Sequence, residues 1–124
     1  MNVIDSSGWI EYLQDTSRAD LYAGAIEDRV RLLVPTISLF EVHRILSRVL
    51  PAELVETCLD VMRRGRVLDL TDSRAIAASR TATQHSLAFA DAAIYSMALE
   101  HGAMLWTQDV DYAGLPGVNY RAKA

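Results

Sequence analysis

The chain has 124 residues, which is enough for one domain with a sizeable core and too few for two. Its hydrophobic content of 51 % excludes extensive disorder, its single cysteine excludes an internal disulfide, and its net charge of −4 argues against a surface that binds polyanions throughout. No apolar stretch approaches the roughly 18 residues of a membrane span, and no secretory signal pattern opens the sequence. We therefore expect a soluble cytoplasmic protein.

The first half of the chain predicts strands that alternate with helices. A short apolar run ends in the carboxylate Asp5 and passes at once into a segment with helical spacing of apolar residues. In chain order, the next predicted elements are a helix over 19–31, a strand over 31–35, a helix over 36–50 and a helix over 52–64. Pro51 ends one helix or starts the next.

The second half continues the same alternation. In chain order, it predicts a strand over 66–70, a helix capped by Thr71 or Asp72 and running to about 83, a loop over 84–87, a helix over 88–101, a strand over 103–107 and a short strand over 118–120. Alternating strands and helices are typical of a parallel sheet with helices on both faces. The sequence thus predicts a single three-layer α/β/α domain over 1–124, with a central parallel sheet.

Four acidic residues come from separate parts of this plan. Asp5 ends the first strand, Glu41 lies in the first turns of the helix after the second strand, and Asp109 follows the fourth strand. Carboxyl ends of parallel strands, and the starts of helices that follow them, meet at one edge of a sheet, so these three should converge. Asp91 lies at the start of a helix that precedes a strand. Its side chain reaches the same edge of the sheet only if this helix begins part-way up that edge.

Each acid also has a purely structural interpretation. Asp5 or Ser6 could cap the helix that follows, and the segment 38–41 has the spacing of a capping box, with Glu41 returning to the Ser38 backbone. The remaining acids could be helix-start or turn residues, namely Asp91, Asp109 and Asp111. These interpretations are reasonable singly and weaker together, because the plan sends three acids to one edge.

Converging carboxylates need a cation or protons. Two of them about 5 Å apart repel by roughly 3 kcal/mol at an effective dielectric constant of about 20. Oxygen ligands without accompanying Cys or His select a hard ion such as Mg²⁺ or Mn²⁺. Such an ion lowers the pKa of a bound water and stabilises charge on a phosphoryl oxygen, which is the chemistry of phosphodiester hydrolysis.

Four motifs spread over nearly the whole chain carry these acids. They are VIDSSGWIEYL at the start, VPTISLFEV around Glu41, LAFADAAIYSMA around Asp91 and MLWTQDVDY around Asp109. In this order and at this length they resemble the PIN-domain family, and most closely the VapC-type toxins of bacterial toxin–antitoxin pairs.

The resemblance implies an endoribonuclease that depends on Mg²⁺ or Mn²⁺ and acts as the toxin of a type II, VapBC-like system. The family's acidic positions fall on Asp5, Glu41, Asp91 and Asp109. Supporting positions fall on Ser7, Thr107 and Asp111. The resemblance also implies the strand order 3-2-1-4-5, a homodimer, and a VapB-like antitoxin whose tail enters the acidic cleft.

From these residues we formulate a mechanism. The predicted ligands of one metal ion are Asp5, Asp91 and Asp109. Glu41 completes the cup, holds a second ion or orients the attacking water. Arg44 and Arg48 lie three and seven residues beyond Glu41 on nearly the same helix stripe. They guide the RNA backbone, meet an antitoxin carboxylate, or simply form a solvated helix face.

Other α/β proteins fit the sequence less well. A response-regulator receiver needs an acidic pair after the first strand and a lysine after the last, whereas this chain has a lone Asp5 and only Lys123. A phosphatase of the DxD type needs an acid where Ser7 stands, and no GxGxxG motif follows the first strand. The remaining alternative is a non-catalytic binding module that has lost its metal site.

Overall fold

The computed structural model describes residues 1–123, in which five strands alternate with six α-helices. The strands are β1 (Asn2–Ile4), β2 (Leu32–Pro35), β3 (Arg66–Leu68), β4 (Met104–Thr107) and β5 (Val118–Tyr120). The helices are α1 (Ser6–Leu13), α2 (Asp20–Glu27), α3 (Thr36–Leu46), α4 (Ala52–Met62), α5 (Asp72–His85) and α6 (Phe89–Glu100). Two short 3₁₀ helices span Arg29–Arg31 and Val110–Tyr112.

All five strands form one parallel sheet with the order β3-β2-β1-β4-β5. Both the predicted fold class and the predicted strand order are confirmed. The order reverses between β1 and β4, and in open α/β sheets ligands bind at the carboxyl ends of the strands beside such a reversal. Receiver domains have the order 2-1-3-4-5 instead, so the sheet excludes that alternative.

Helices cover both faces of the sheet because successive strand residues point to opposite sides. Val3 packs into a core formed with α5 and α6, where Ile94, Tyr95 and Met97 are buried. Ile4 packs into a second core on the other face, which the side chains of α1, α2, α3 and α4 complete. No described helix combines the length and apolarity that a bilayer crossing requires.

Several predicted helix ends are wrong. The helix predicted over 36–50 ends at Leu46, whose carbonyl accepts the N–H groups of Val49 and Leu50. Pro51 disfavours helical backbone at the residue before it, so the chain turns there and leaves Val49 64 % exposed. The helix predicted over 19–31 ends at Glu27 and continues as a 3₁₀ turn.

Two other elements, a helix and a strand, end at residues that differ from the predicted ones. The helix predicted to stop near 83 continues to His85, and Ser86 then adopts a left-handed conformation with φ 55° that ends it. The strand predicted over 66–70 ends at Leu68. These differences leave the order of elements, and hence the edge that carries the acids, unchanged.

The start of α1 depends on a glycine. A Cβ atom at Gly8 would lie 2.7 Å from the Tyr22 ring and 2.8 Å from the Ile4 side chain, and both of these side chains are fully buried. We expect Gly8→Ala to lower the free energy of unfolding by about 1–3 kcal/mol, because a rigid ring cannot yield. The measurement is urea denaturation followed by circular dichroism.

Gly24 is the matched control, because it is also helical and nothing lies within 4 Å of its added Cβ. Gly24→Ala should raise the free energy of unfolding by about 0.5–1 kcal/mol through helix propensity. Equal effects of the two substitutions would contradict the close packing of α1 on α2.

Candidate functional site

Asp5 lies at the carboxyl end of β1, beside the reversal of strand order. Its N–H donates to the Trp106 carbonyl at 2.9 Å, which continues the pairing with β4 by one residue, and its carbonyl begins α1 by accepting from Gly8 and Trp9. Its side chain makes no helix-capping hydrogen bond. Instead, one carboxylate oxygen, Oδ2, accepts from Ser7 Oγ at 3.0 Å and from Thr107 Oγ1 at 2.9 Å. The capping interpretation of Asp5 is therefore wrong.

Thr107 connects the ends of the two strands that flank the reversal. Its side chain is fully buried, its hydroxyl donates to Asp5, and the same oxygen accepts from the Asp109 N–H at 2.9 Å. The Asp109 side chain in turn accepts from the Asp111 N–H at 2.9 Å and so begins the 3₁₀ helix after β4. Asp109 is thus both a turn residue, as one prediction had it, and part of the acidic edge.

Glu41 reaches the edge from α3, and the predicted capping box is wrong. The helix begins at Thr36 directly after Pro35, so Ser38 lies inside the helix. Its hydroxyl is buried and has no hydrogen-bond partner among residues 1–123. Glu41 instead accepts a hydrogen bond from Ser6 Oγ at 2.5 Å, across 35 residues of sequence. The hydrogen bond between Ser6 and Glu41 therefore joins α3 to the end of β1.

Asp91 also reaches this edge, in the first turn of α6. The Tyr112 hydroxyl lies 3.1 Å from Asp91 Oδ1 and 3.1 Å from the Asp91 carbonyl oxygen. Tyr112 is fully buried and comes from the 3₁₀ helix that Asp109 starts. The helix α6 therefore begins near this edge, which is the condition on which the predicted position of Asp91 depended.

Three of the acids are close enough to share one ion. One carboxylate oxygen each from Asp91, Asp109 and Asp111 lies within 4.8 Å of the other two. Within residues 1–123, Asp5 and Glu41 are not members of this group. Because all of these donors are oxygens, the group fits a hard divalent cation and not a soft one.

Burial and neighbouring charges raise the pKa of two of these acids, Asp5 and Asp91. Burial raises the pKa of Asp5 to about 6, the charge of Asp91 adds to this, and the hydrogen bonds from Thr107 and Ser7 oppose it. Burial also raises the pKa of Asp91 to about 6, with further contributions from the charges of Asp109, Glu41 and Asp111. Within residues 1–123, none of the salt bridges involves an acid of this edge, so no basic side chain pairs with the charge there.

Two contacts of the site were not predicted from the sequence. Tyr112 was missed because a tyrosine three residues after an acid has no distinctive pattern. Its hydrogen bond to Asp91 arises only when β4 and α6 come together. Ser6 was considered only as a cap, since adjacency to Asp5 does not reveal a partner in α3. Burial raises the pKa of Tyr112 above its usual range, and the charges of Asp5 and Asp91 add to it, so its hydroxyl stays a donor.

The predicted contact residues Arg44 and Arg48 are both exposed. Arg44 lies on α3, whereas Arg48 follows the end of this helix at Leu46, so the predicted common helix stripe is wrong for Arg48. Together with Glu41 they line a shallow groove of about 180 Å³, whose other walls are the side chains of Phe40 and Ile45. The acidic edge therefore continues into a groove that carries positive charge. Phe40 is 59 % exposed, which is unusual for a phenylalanine.

Comparisons with known proteins identify the fold of the chain. The family model described as PIN domain matches residues 3–117. No curated protein matches the sequence. Solved structures do match: a toxin–antitoxin complex from Klebsiella pneumoniae is 19 % identical with a TM-score of 0.80, and the alignment covers 96 % of each chain.

Two further solved structures have the same fold. The chain is 18 % identical to Mycobacterium tuberculosis VapC20, described as a Sarcin-Ricin loop cleaving toxin, with a TM-score of 0.80 and coverage of 98 % of this chain and 99 % of that one. It is 16 % identical to a chain of the DNA-bound VapBC of Salmonella typhimurium, with a TM-score of 0.76 and coverage of 98 % and 96 %. At these identities the likeness establishes the fold alone.

The raised pKa of Asp5 predicts how stability depends on pH in metal-free protein. A carboxyl group whose pKa rises from 3.8 unfolded to about 6 folded binds its proton more tightly in the folded state. The free energy of unfolding should therefore fall as pH rises from 4 to 7, by about 3 kcal/mol from this group. Asp5→Asn should remove that loss, because an amide does not ionise and its oxygen can still accept from Ser7 and Thr107.

The measurement is urea denaturation of wild type and Asp5→Asn in a chelator, at pH 7 and below pH 4. The variant should be more stable than wild type at pH 7, and the difference should shrink towards zero in acid, where both side chains are neutral. If Asp5→Asn is less stable than wild type at pH 7, the claim that ionised Asp5 destabilises the metal-free folded protein is wrong.

Proposed function

The chain belongs to the PIN-domain family, and from this premise we propose that it is a divalent-metal-dependent endoribonuclease, the toxin of a VapBC-like toxin–antitoxin system. The observation that carries the proposal is the convergence of acids from four separate segments beside the reversal of strand order. We propose that Asp5, Glu41, Asp91 and Asp109 form the catalytic set. Residues 1–124 would make up a single PIN domain.

We propose that Mg²⁺ or Mn²⁺ binds between Asp91 and Asp109, with Asp5 as a further ligand, directly or through water. Asp111 belongs to the same close group of oxygens and would support it. When bound, such an ion lowers the pKa of a water and stabilises negative charge on a phosphoryl oxygen. Burial raises both pKa values and the charges of neighbouring acids add to it, and a bound cation would favour the ionised form of both groups.

The neighbouring side chains orient these acids. Ser7 and Thr107 both donate to one oxygen of Asp5, which fixes the carboxylate plane. Tyr112 does the same for Asp91. Ser6 holds one oxygen of Glu41, so the other is available to orient the attacking water or to bind a second ion. Partners of this kind fix ligand orientation at metal sites generally.

The proposed partners follow from the family and the surface. RNA is the proposed substrate, and a relative with the same fold is described as cleaving the Sarcin-Ricin loop. Solved toxin–antitoxin complexes with this fold support a VapB-like antitoxin. Large exposed apolar side chains, such as Phe40 at 59 %, Phe89 at 60 % and Val49 at 64 %, support surfaces that an antitoxin or the second subunit of a homodimer covers. Such a ribonuclease would act in the cytoplasm.

The first test is cleavage by acid-to-amide variants. Asp5→Asn and Asp109→Asn should each lower the rate of cleavage of a single-stranded RNA by at least about 100-fold, because each removes a carboxylate of the metal site. Wild-type cleavage should require Mg²⁺ or Mn²⁺ and stop in a chelator. The readout is the initial rate on a fluorescently labelled RNA.

Asp60→Asn is the control, since Asp60 lies on the exposed side of α4 and pairs only with surface arginine. It should cleave at the wild-type rate. If Asp5→Asn cleaves as fast as wild type, the catalytic assignment is wrong. If no variant, wild type included, cleaves RNA in either metal, the alternative of a non-catalytic binding module is favoured.

The second test concerns the arginines of the α3 groove. Arg44→Ala and Arg48→Ala should each weaken binding of single-stranded RNA to the Asp5→Asn protein. The slope of log K against log salt concentration should become shallower by about 0.7 per lost phosphate contact. The measurement is fluorescence anisotropy at several salt concentrations.

Arg63→Ala is the matched control, because Arg63 is a surface arginine of the region after α4, paired with Asp60 at 2.8 Å. It should leave the slope unchanged. Slopes that are equal for all three variants and the parent would show that Arg44 and Arg48 form only a solvated surface.

A further inference from the structure

Gln108 stands between two residues of the acidic edge, Thr107 and Asp109, and its side chain points away from them. Successive residues of an extended segment face opposite sides. Thr107 contacts Asp5 on one side, whereas Gln108 enters a polar cluster on the other side, formed with Glu11 of α1, Arg18 of the loop after α1, and Tyr22 of α2. No sequence motif singles out this glutamine.

Both ends of the Gln108 carboxamide are held. Its oxygen accepts from Arg18 Nε at 2.7 Å, and the Tyr22 hydroxyl lies 3.5 Å from the same oxygen. Its nitrogen donates to Glu11 Oε2 at 3.0 Å. A flipped amide would direct N–H groups at the guanidinium and an oxygen at the carboxylate, so only one orientation satisfies all partners.

The partners of Gln108 are themselves fixed. Glu11 also accepts from Thr16 at 3.0 Å, and its side chain is only 13 % exposed. Arg18 is 20 % exposed, and its second nitrogen donates to the carbonyls of Arg121 at 3.0 Å and Ala122 at 3.2 Å, just after β5. The cluster therefore ties α1, the loop after it, the end of β4 and the chain after β5 to one point.

We propose that Gln108 is a positioning residue, which Arg18 and Glu11 hold so that the backbone from Thr107 to Asp109 keeps one conformation. The segment is then fixed from both sides, by the Thr107 hydroxyl on Asp5 and by the Gln108 amide on Arg18. The Asp109 carboxylate follows, because its N–H is bonded to Thr107 and its side chain begins the next turn. The consequence for metal binding rests on the proposed function, in which Asp109 is a ligand.

The first experiment measures Mn²⁺ affinity by isothermal titration calorimetry, in the whole protein without RNA. Gln108→Met keeps the length of the side chain and removes its hydrogen bonds. It should weaken Mn²⁺ binding about tenfold, as loss of a partner that orients a ligand does. Arg18→Met should have a similar effect. The double variant should bind Mn²⁺ less tightly than wild type by a factor much smaller than the product of the two single-variant factors. The reason is that both changes break the same contact.

Arg74→Met is the matched control. The Arg74 side chain is 21 % exposed, donates to Glu100 at 3.0 and 3.1 Å and donates to the Asp69 carbonyl at 2.8 Å, and none of these contacts involves an acid of the proposed site. It should lower the stability to urea without changing Mn²⁺ affinity. If Arg74→Met weakens Mn²⁺ binding as much as Gln108→Met does, the effect is one of general stability and the proposal fails.

The second experiment needs no metal. Amide hydrogen exchange of metal-free protein, followed by NMR, reports the Asp109 N–H that is bonded to Thr107. Gln108→Met should accelerate this exchange several-fold, and Arg74→Met should leave it unchanged. Wild-type exchange in Gln108→Met would overturn the proposal, whatever the metal result.

The two experiments separate this proposal from the proposed function. If wild type binds no Mn²⁺, the metal site itself is refuted, and the exchange of the Asp109 amide alone decides whether Gln108 positions the segment. If wild type binds Mn²⁺ and Gln108→Met binds it equally well with unchanged exchange, the metal site stands and the positioning role is refuted.

Discussion

Burial and mutual repulsion of carboxylates confined to one edge of the sheet are the constraint on which the site depends. The charge of Asp91 acts on Asp5, and the charges of Asp109, Glu41 and Asp111 act on Asp91, so these groups destabilise one another when all are ionised. An arrangement of this kind persists only if the fold holds it from outside. The parallel sheet does so, because its strand ends and helix starts are fixed by backbone hydrogen bonds and by two buried cores on opposite faces.

Hydroxyl groups around the acids hold the carboxylates in position. Each of three carboxylates has a neutral donor from a different element: Thr107 for Asp5, Ser6 for Glu41 and Tyr112 for Asp91. A neutral donor orients a carboxylate without cancelling its charge, whereas an arginine or lysine would neutralise it. The residues nearest the acids therefore preserve the negative charge that a cation needs, and Gln108 extends the same support one layer further out.

Much of the fold could be predicted from the sequence because its signals are local. Apolar runs closed by Asp5, Pro35 or Thr107 predict strands, and the alternation of strands with helices predicts a parallel sheet. Helix ends were less predictable, because Val49 continues the apolar spacing of α3 although Pro51 has already turned the chain. Asp5 and Asp109 could be placed from strand ends and Glu41 from a helix start, whereas the position of Asp91 stayed conditional. Ser6, Tyr112 and Gln108 could not be placed, since their partners lie 35, 21 and 90 residues away in sequence.

The proposed function requires that acids from distant segments bind the same cation, and this cation can be located in a crystal. Crystals grown with Mn²⁺ would be examined by anomalous diffraction at the manganese edge. We expect an anomalous peak between the carboxylates of Asp91 and Asp109, on the side of Asp5. Well-diffracting crystals with no peak there at millimolar Mn²⁺, or with a peak only at some other acidic surface, would contradict it.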